Sequence, residues 1–157
     1  MSKISLAIHG GAGTILKELM TPELEQEYIQ ALNASLTRGY VVLEKGGTAV
    51  DAVQAAVMIL EDNVLFNAGR GSVFTNKGSH EMDAAIMDGQ YLRAGAVSAV
   101  KNIRNPVELA YAIMTKSQHV MMTGQGAYDF AKLNDIKTEP DEYFYSEFRY
   151  NLSLIHI

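Results

Sequence analysis

Apolar and polar positions alternate along the chain in blocks that predict short strands followed by helices. Ile4–Ile8 is a short apolar run cut off by His9-Gly10-Gly11-Ala12-Gly13, which predicts a strand running into a glycine loop. Thr21-Pro22-Glu23 then predicts a helix start, with a hydroxyl cap, a proline at the first helical position and an acidic first turn. Leu24, Tyr28, Ala31, Leu32, Ser35 and Leu43 follow at helical spacing, and Gly46-Gly47 predicts the stop. Thr48 with Asp51 three positions on predicts a second capped helix. Ala49–Leu60 has only Asp51 and Gln54 as strongly polar residues, so this helix is expected to be buried on more than one side.

Beyond it, Asn63–Gly71 predicts a loop, and Ser72-Val73-Phe74 before Thr75-Asn76-Lys77-Gly78 predicts a strand entering a turn. Glu81–Met87 and Tyr91–Val100 flank Asp88-Gly89, a strong hairpin signal. The second of these strands carries Ala94, Gly95, Ala96, Ser98 and Ala99, small residues that predict a close neighbour packed over it. Asn105-Pro106 opens a third helix to about Lys116, His119–Met122 reads as another strand, and Gly124-Gln125-Gly126 leads into a helix over Ala127–Leu133. Residues 1–133 thus form the structured part, and 134–151 read as a polar, aromatic tail or linker without clear period. Residues 152–157, Leu-Ser-Leu-Ile-His-Ile, break character. They equal what the end of a widely used transposase sequencing adapter encodes, and are expected to be adapter-derived; the alternative is a native apolar C-terminal strand.

Composition narrows the function. The 157 residues carry 13 Lys and Arg against 18 Asp and Glu, a net charge of −5, which gives no electrostatic case for nucleic acid or an anionic membrane as partner. At 48% hydrophobic and 20% charged residues, the chain has a globular balance. Cysteine is absent, which excludes disulfides, thiolate metal ligands and a cysteine nucleophile, and suits the cytoplasm. The first nine residues contain no apolar stretch of the roughly 7–15 residues a signal peptide uses.

Several common motifs fail. There is no G-x-x-x-x-G-K-[ST] phosphate loop, and neither Gly11-x-Gly13 nor Gly69-x-Gly71 has the third glycine of a dinucleotide site. His80-Glu81 lacks a second histidine where Ala84 stands, and no G-x-S-x-G accompanies His9-Gly10-Gly11. What remains are glycine loops after apolar runs. The Gly10-Gly11-Ala12-Gly13 loop allows close approach to a ligand or another segment, or is simply a tight turn. Leu65-Phe66-Asn67-Ala68-Gly69-Arg70-Gly71 can turn several carbonyls inward, an arrangement suited to a hard cation such as sodium or calcium. Asn67 either presents an amide to a water or a developing oxyanion, or ties the turn. Arg70 is a candidate partner for a substrate carboxylate or a plain surface arginine. Glu81 and Asp83 share a strand face and read as an acid/base pair or, preferably, as structural; Asp88 is explained by its turn.

Taken in order, Ile8-His9-Gly10-Gly11-Ala12-Gly13, Leu65-Phe66-Asn67-Ala68-Gly69-x-Gly71-x-Val73-Phe74, Glu81-x-Asp83-Ala84-x-Ile86-Met87-Asp88-Gly89 and Arg104-Asn105-Pro106-Val107 resemble the N-terminal portion of the plant-type L-asparaginase / isoaspartyl peptidase family. The resemblance runs from about Ser2 to Tyr150 and covers the α-subunit portion only. It implies an α+β fold, the αββα four-layer sandwich of N-terminal nucleophile hydrolases, present as its N-terminal half. It also implies a precursor that cuts itself before a threonine, which becomes the nucleophile with its own α-amine as base. No Gly-Thr-Val-Gly-like junction stands in this sequence, so the nucleophile is missing and the chain alone is expected to be inactive. Carried over residue by residue, the resemblance makes Asn67 the supporting active-site asparagine and Gly10, Gly11 and Gly13 the autocleavage loop. It makes the backbone carbonyls of Leu60, Glu61, Asn63, Phe66, Ala68 and Arg70 the ligands of a structural sodium ion, with no organic cofactor. The implied partners are the chain's own β-subunit half, a second αβ unit and a small or dipeptide substrate. Rival expectations are a glycosylasparaginase-type amidase and a non-catalytic α-like binding protein.

Overall fold

Thr21 and Pro22 start the first helix as the sequence predicts. In the computed structural model, which describes residues 4–11 and 20–156, α1 spans Pro22–Glu44 and Thr21 Oγ1 accepts from the Leu24 amide at 3.2 Å. It ends where Gly46 takes φ +81° and donates back to Leu43 O. α2, Ala49–Glu61, opens with the full capping box. The Asp51 amide donates to Thr48 Oγ1, and the Thr48 amide and hydroxyl both donate to Asp51 Oδ2.

The two helices meet along Ala31, Ser35 and Gly39, a one-face stripe of small residues. Ser35 Oγ donates to Ala56 O at 2.8 Å, and a Cβ on Gly39 would lie 2.8 Å from Ala52 O and 2.7 Å from Leu6 Cδ2. With α1 on one side and the segments Met82–Asp88 and Pro106–Lys116 on another, α2 is buried on two sides, while Val53 faces solvent.

The sheet has three strands in the order β1-β2-β3: Met82–Asp88, Arg93–Val100 and Met121–Thr123. β1 and β2 are antiparallel, and β3 lies parallel to β2 from Ala96↔Met121 to Ser98↔Thr123. The hairpin forms, but not with a two-residue turn. Asp88 pairs with Arg93, and Gly89–Leu92 make the loop, with Gln90 N donating to Asp88 Oδ1 and Leu92 at φ +52°. Asp88 is held inward by that loop and by Arg93 at 3.5 Å, so the strand outlasts its turn signal by one residue. At the other end a bulge leaves Ala99 at φ +51°, its amide capped by Asp83 Oδ1 at 2.8 Å.

α3, Pro106–Lys116, crosses one sheet face at backbone distance. A Cβ on Gly95 would run into Ala110 O and come within 2.7 Å of Met114 N, so the expected close neighbour is present at Gly95, whereas Ala94, Ala96 and Ser98 alternate to the other face. Behind this contact, Met82, Val97, Val100, Leu109 and Ile113 join Ala127 and Ala131 of α4, Gly124–Leu133, in the main core. The opposite face is bare among the described residues. Ala85, Met87 and Met121 are exposed there, with Ala94, Ala96 and Ser98 half-buried. The chain is thus mixed helix and sheet, a helix layer on one face of a sheet layer.

Other elements depart from the pattern reading. Ile4–Ile8 is not a strand: no described strand pairs with it, and without a ladder an apolar run does not become one. Ser72–Phe74 is reduced to a single bridge, Phe74↔His80, because the turn between them is too tight for a longer ladder. α4 begins at Gly124, whose φ of +50° lets β3 pass straight into the helix.

The segment from 134 differs most from a polar tail. Ile136 and Phe144 are buried, Ile103 bridges Thr138, and Glu139 N donates to Asn102 O. Its apolar anchors are too far apart to give a period. α5, Asp141–Phe144, and α6, Glu147–His156, complete the chain, so the C-terminal apolar residues are helical rather than a strand. Among the described residues no helix is long and apolar enough to cross a membrane.

Replacing Gly95 by alanine forces α3 off β2 and is expected to cost about 1–3 kcal/mol. Ala94→Ser on the bare face is expected to change stability by less than about 0.5 kcal/mol. Urea unfolding of the two variants checks this; equal losses would contradict the close contact.

Candidate functional site

Glu61 closes α2 and begins the loop that carries most of the candidate residues. Its carboxyl is 3% exposed; Oε1 accepts from Val107 N, in the first turn of α3, at 2.9 Å, while Oε2 has no partner among the described residues. Burial pushes its pKa up to about 8, against the pull of the Val107 amide and Asn105.

Next to it, Asp62 holds Arg104 through both carboxylate oxygens, at 3.0 and 3.2 Å, and accepts from Tyr143 Oη at 3.1 Å. Arg104 also reaches Glu139 at 3.2 Å. Burial works to raise the Asp62 pKa, but the Arg104 hydrogen bonds and charge outweigh it and hold the carboxyl below its usual range. Arg70, considered for a substrate carboxylate, instead rests over the Tyr143 ring, 5.3 Å from its centre.

Two glycines give the loop its shape. Gly69 sits at φ +50°, where a Cβ would strike Glu61 O. A Cβ on Gly71 would strike Phe66 O and lie 2.7 Å from Val64 O and 2.9 Å from Asn63 O. Of the six carbonyls considered for a cation, those of Glu61, Asn63 and Phe66 therefore crowd the glycines. Leu60 O and Ala68 O each accept one amide within the loop, from Asn63 and Gly71. Among the described residues no group of three or more His, Asp or Glu could hold a metal, so a cation here would depend on backbone oxygens. Asn63 Oδ1 braces the turn through Leu65 N, and Leu65 O accepts from Tyr28 Oη and Arg149 Nη2.

Asn67 is exposed. Its Oδ1 accepts from Val73 N at 3.0 Å, so it does tie the turn, and the bond engages the oxygen rather than the NH2 group. That NH2 has no partner among the described residues. Gly10 packs between the loop and α1: a Cβ on it would be 3.1 Å from the Phe66 ring and 2.9 Å from Leu32. Gly11 takes φ +103° and donates to His9 Nδ1. Gly13 falls outside the described residues.

Glu81 and Asp83 are not part of this arrangement. Glu81 pairs with Lys101 at 3.1 Å and Asp83 caps the bulge. Sequence reasoning missed the Asp62–Arg104–Tyr143 cluster and the buried Ser72–His80 pair, 3.1 Å apart. Neither has a spacing that marks it; the cluster comes from long-range packing, and the pair from the turn that brings Ser72 back to His80. With its only Ser–His pair buried, the described site can orient and polarise a carbonyl but presents no activated nucleophile.

Comparison with known proteins agrees over nearly the whole chain. A family model described as Asparaginase matches residues 2–154. An isoaspartyl peptidase of Escherichia coli K12 is 47% identical over 150 residues, covering 96% of this chain and 47% of its own. An isoaspartyl peptidase/L-asparaginase of Xenopus laevis is 46% identical over 142 residues, 90% of this chain and 44% of its own. A plant-type L-asparaginase of Pyrococcus furiosus is 47% identical over 130 residues, 83% of this chain and 41% of its own. The chain spans less than half the length of these curated relatives.

The buried carboxyl gives a signed pH prediction. Folded Glu61 keeps its proton to about pH 8, whereas the unfolded chain releases it near 4.5. Between those values the unfolded state binds fewer protons. This group's contribution is therefore full below about 4.5 and is lost as pH rises through 8. Glu61→Gln is expected to remove that slope and to be more stable than the parent at pH 8 by a few kcal/mol, on the order of the linked shift. Urea unfolding at pH 5 and pH 8 checks it; an unchanged slope would contradict a buried, protonated Glu61.

Proposed function

Since the chain belongs to the asparaginase family, we propose that it is the N-terminal, α-subunit half of an isoaspartyl peptidase / L-asparaginase. The whole enzyme hydrolyses β-aspartyl peptides and the side-chain amide of asparagine in the cytoplasm. Its nucleophile is a threonine freed by self-cleavage, carried on a β-subunit half that this sequence does not contain. The threonine Oγ attacks the carbonyl while its own α-amine takes the proton. The amine or ammonia leaves with that proton, and water then cleaves the acyl-enzyme to release aspartate and restore the hydroxyl.

One observation from this half carries the reading: the exposed Asn67 fixes its carbonyl oxygen on Val73 N, which leaves its two N–H donors for a ligand, in the loop whose preceding residue, Phe66, packs against Gly10. Such a preorganised neutral donor suits a catalytic water or a developing oxyanion without changing charge during the reaction. The Gly10-Gly11 backbone, free of side chains and with Gly11 at φ +103°, would let a self-cleaving junction approach closely. A structural sodium ion fits the carbonyls that crowd Gly69 and Gly71. Glu61, Asn63 and Phe66 would hold it, with Leu60, Ala68 and Arg70 completing the set. Its charge would offset the repulsion between converged carbonyls and stiffen the loop behind Asn67.

The bare sheet face, with Ala85, Met87, Ala94, Ala96 and Met121, supports a second sheet from the β-subunit half stacked on it. This gives the αββα sandwich, and two αβ units form the dimer. We read residues 152–157 as adapter-derived, with the native chain continuing in their place.

Expression of the complete coding sequence is expected to give two self-cleaved bands and release of aspartate from a β-aspartyl dipeptide. Asn67→Ala in that enzyme is expected to lower kcat by about 10²-fold, the scale of one lost oxyanion donor. An uncleaved, inactive complete protein would overturn the function, and an Asn67→Ala enzyme with unchanged kcat would overturn the role given to Asn67. Exchanging sodium for a large organic cation is expected to lower the melting temperature; no change would count against the ion.

A further inference from the structure

The Asn67 carboxamide is only as well placed as the amide that holds it, and that amide belongs to Val73. Val73 lies between two pinned neighbours. On one side Ser72 Oγ is 3.1 Å from His80 Nδ1, with Ser72 5% and His80 8% exposed. On the other, Phe74 forms a backbone bridge with His80, and the two rings lie 4.2 Å apart. A single side chain therefore grips both residues that flank Val73.

His80 in turn is fixed from below. It stands two residues before Met82, where β1 starts, and its ring lies against Phe144 of α5, 6.1 Å between centres. Its Nε2 is buried with no partner among the described residues, so Ser72 is the ring's one hydrogen bond there. A polar ring buried at that cost, for one bond to a backbone-positioning serine, calls for a role beyond filling space.

We propose that His80 is a positioning residue for the active-site asparagine. Through Ser72 and Phe74 it locks the 72–74 backbone so that Val73 N–H points at Asn67 Oδ1 and the Asn67 NH2 faces the reaction centre. The proposal rests on the reading of Asn67 given above. It touches neither substrate nor nucleophile directly. Phenylalanine in place of His80 keeps the stacking but loses the bond to Ser72; asparagine keeps a hydrogen-bonding group near the Nδ1 position.

The test uses this chain, by amide hydrogen exchange and NMR of the Asn67 side-chain NH2, so it reads geometry and is independent of the kinetic test of Asn67. Ser72→Ala and His80→Phe are expected to speed exchange at the Val73 amide about tenfold, the scale of one lost hydrogen bond. They should also collapse the separation of the two Asn67 NH2 proton signals, while the α2 amides of Ala52 and Ala56 keep their rates. His80→Asn is expected to restore both signatures toward the parent. Parent-like Val73 and Asn67 signals in Ser72→Ala would overturn the proposal. Failure of His80→Asn to restore them, or equal acceleration at Ala52 and Ala56, would assign His80 to general stability and overturn it as well.

Discussion

Glu61 is the junction on which the arrangement turns. Its carboxyl accepts the Val107 amide at the start of α3, and its own backbone carbonyl faces Gly69 of the adjacent loop. One residue thus ties the end of α2, the start of α3 and the loop that carries Asn67. A carboxyl with one hydrogen bond and one empty oxygen, almost wholly buried, is costly to keep ionised, which is why its pKa rises. α3 then lies on β2 across Gly95, so the loop, the helix and the sheet share one rigid frame.

That frame faces one way. Helices cover one side of the sheet, while the other presents alanines, a serine and two exposed methionines in register from β1 to β3. Asn67 projects from the loop beyond α2, braced on one side by the Glu61 and Asp62 contacts and on the other by Ser72 and His80. The described residues read as support: they cap, brace and shape the loop that carries Asn67.

Local chemistry was legible where it is written in adjacent residues. Thr21-Pro22, the Thr48–Asp51 box, Gly46 and Gly95 of β2 each specify their own geometry, and each appears as expected. The 134–144 segment was not legible, because Ile136 and Phe144 are set eight residues apart and anchored by partners such as Asn102 and Ile103, more than 30 residues earlier. Ile4–Ile8 carries a strand pattern but no described strand to pair with, since pairing is a property of two segments. In the candidate site, the family motifs singled out Asn67 and Gly10. The Asp62–Arg104–Tyr143 cluster emerged only from packing, because its members are far apart in sequence, and the Ser72–His80 pair only from the turn that folds the two residues together.

The central claim is that this chain is half of a self-cleaving hydrolase, and a continuous read of the parent DNA past the codon for Asn151 tests it most directly. The account predicts that the frame continues beyond the Leu-Ser-Leu-Ile-His-Ile stretch's position to a glycine–threonine junction and a second half of similar length. A stop codon directly after Ile157 in the native gene would contradict it.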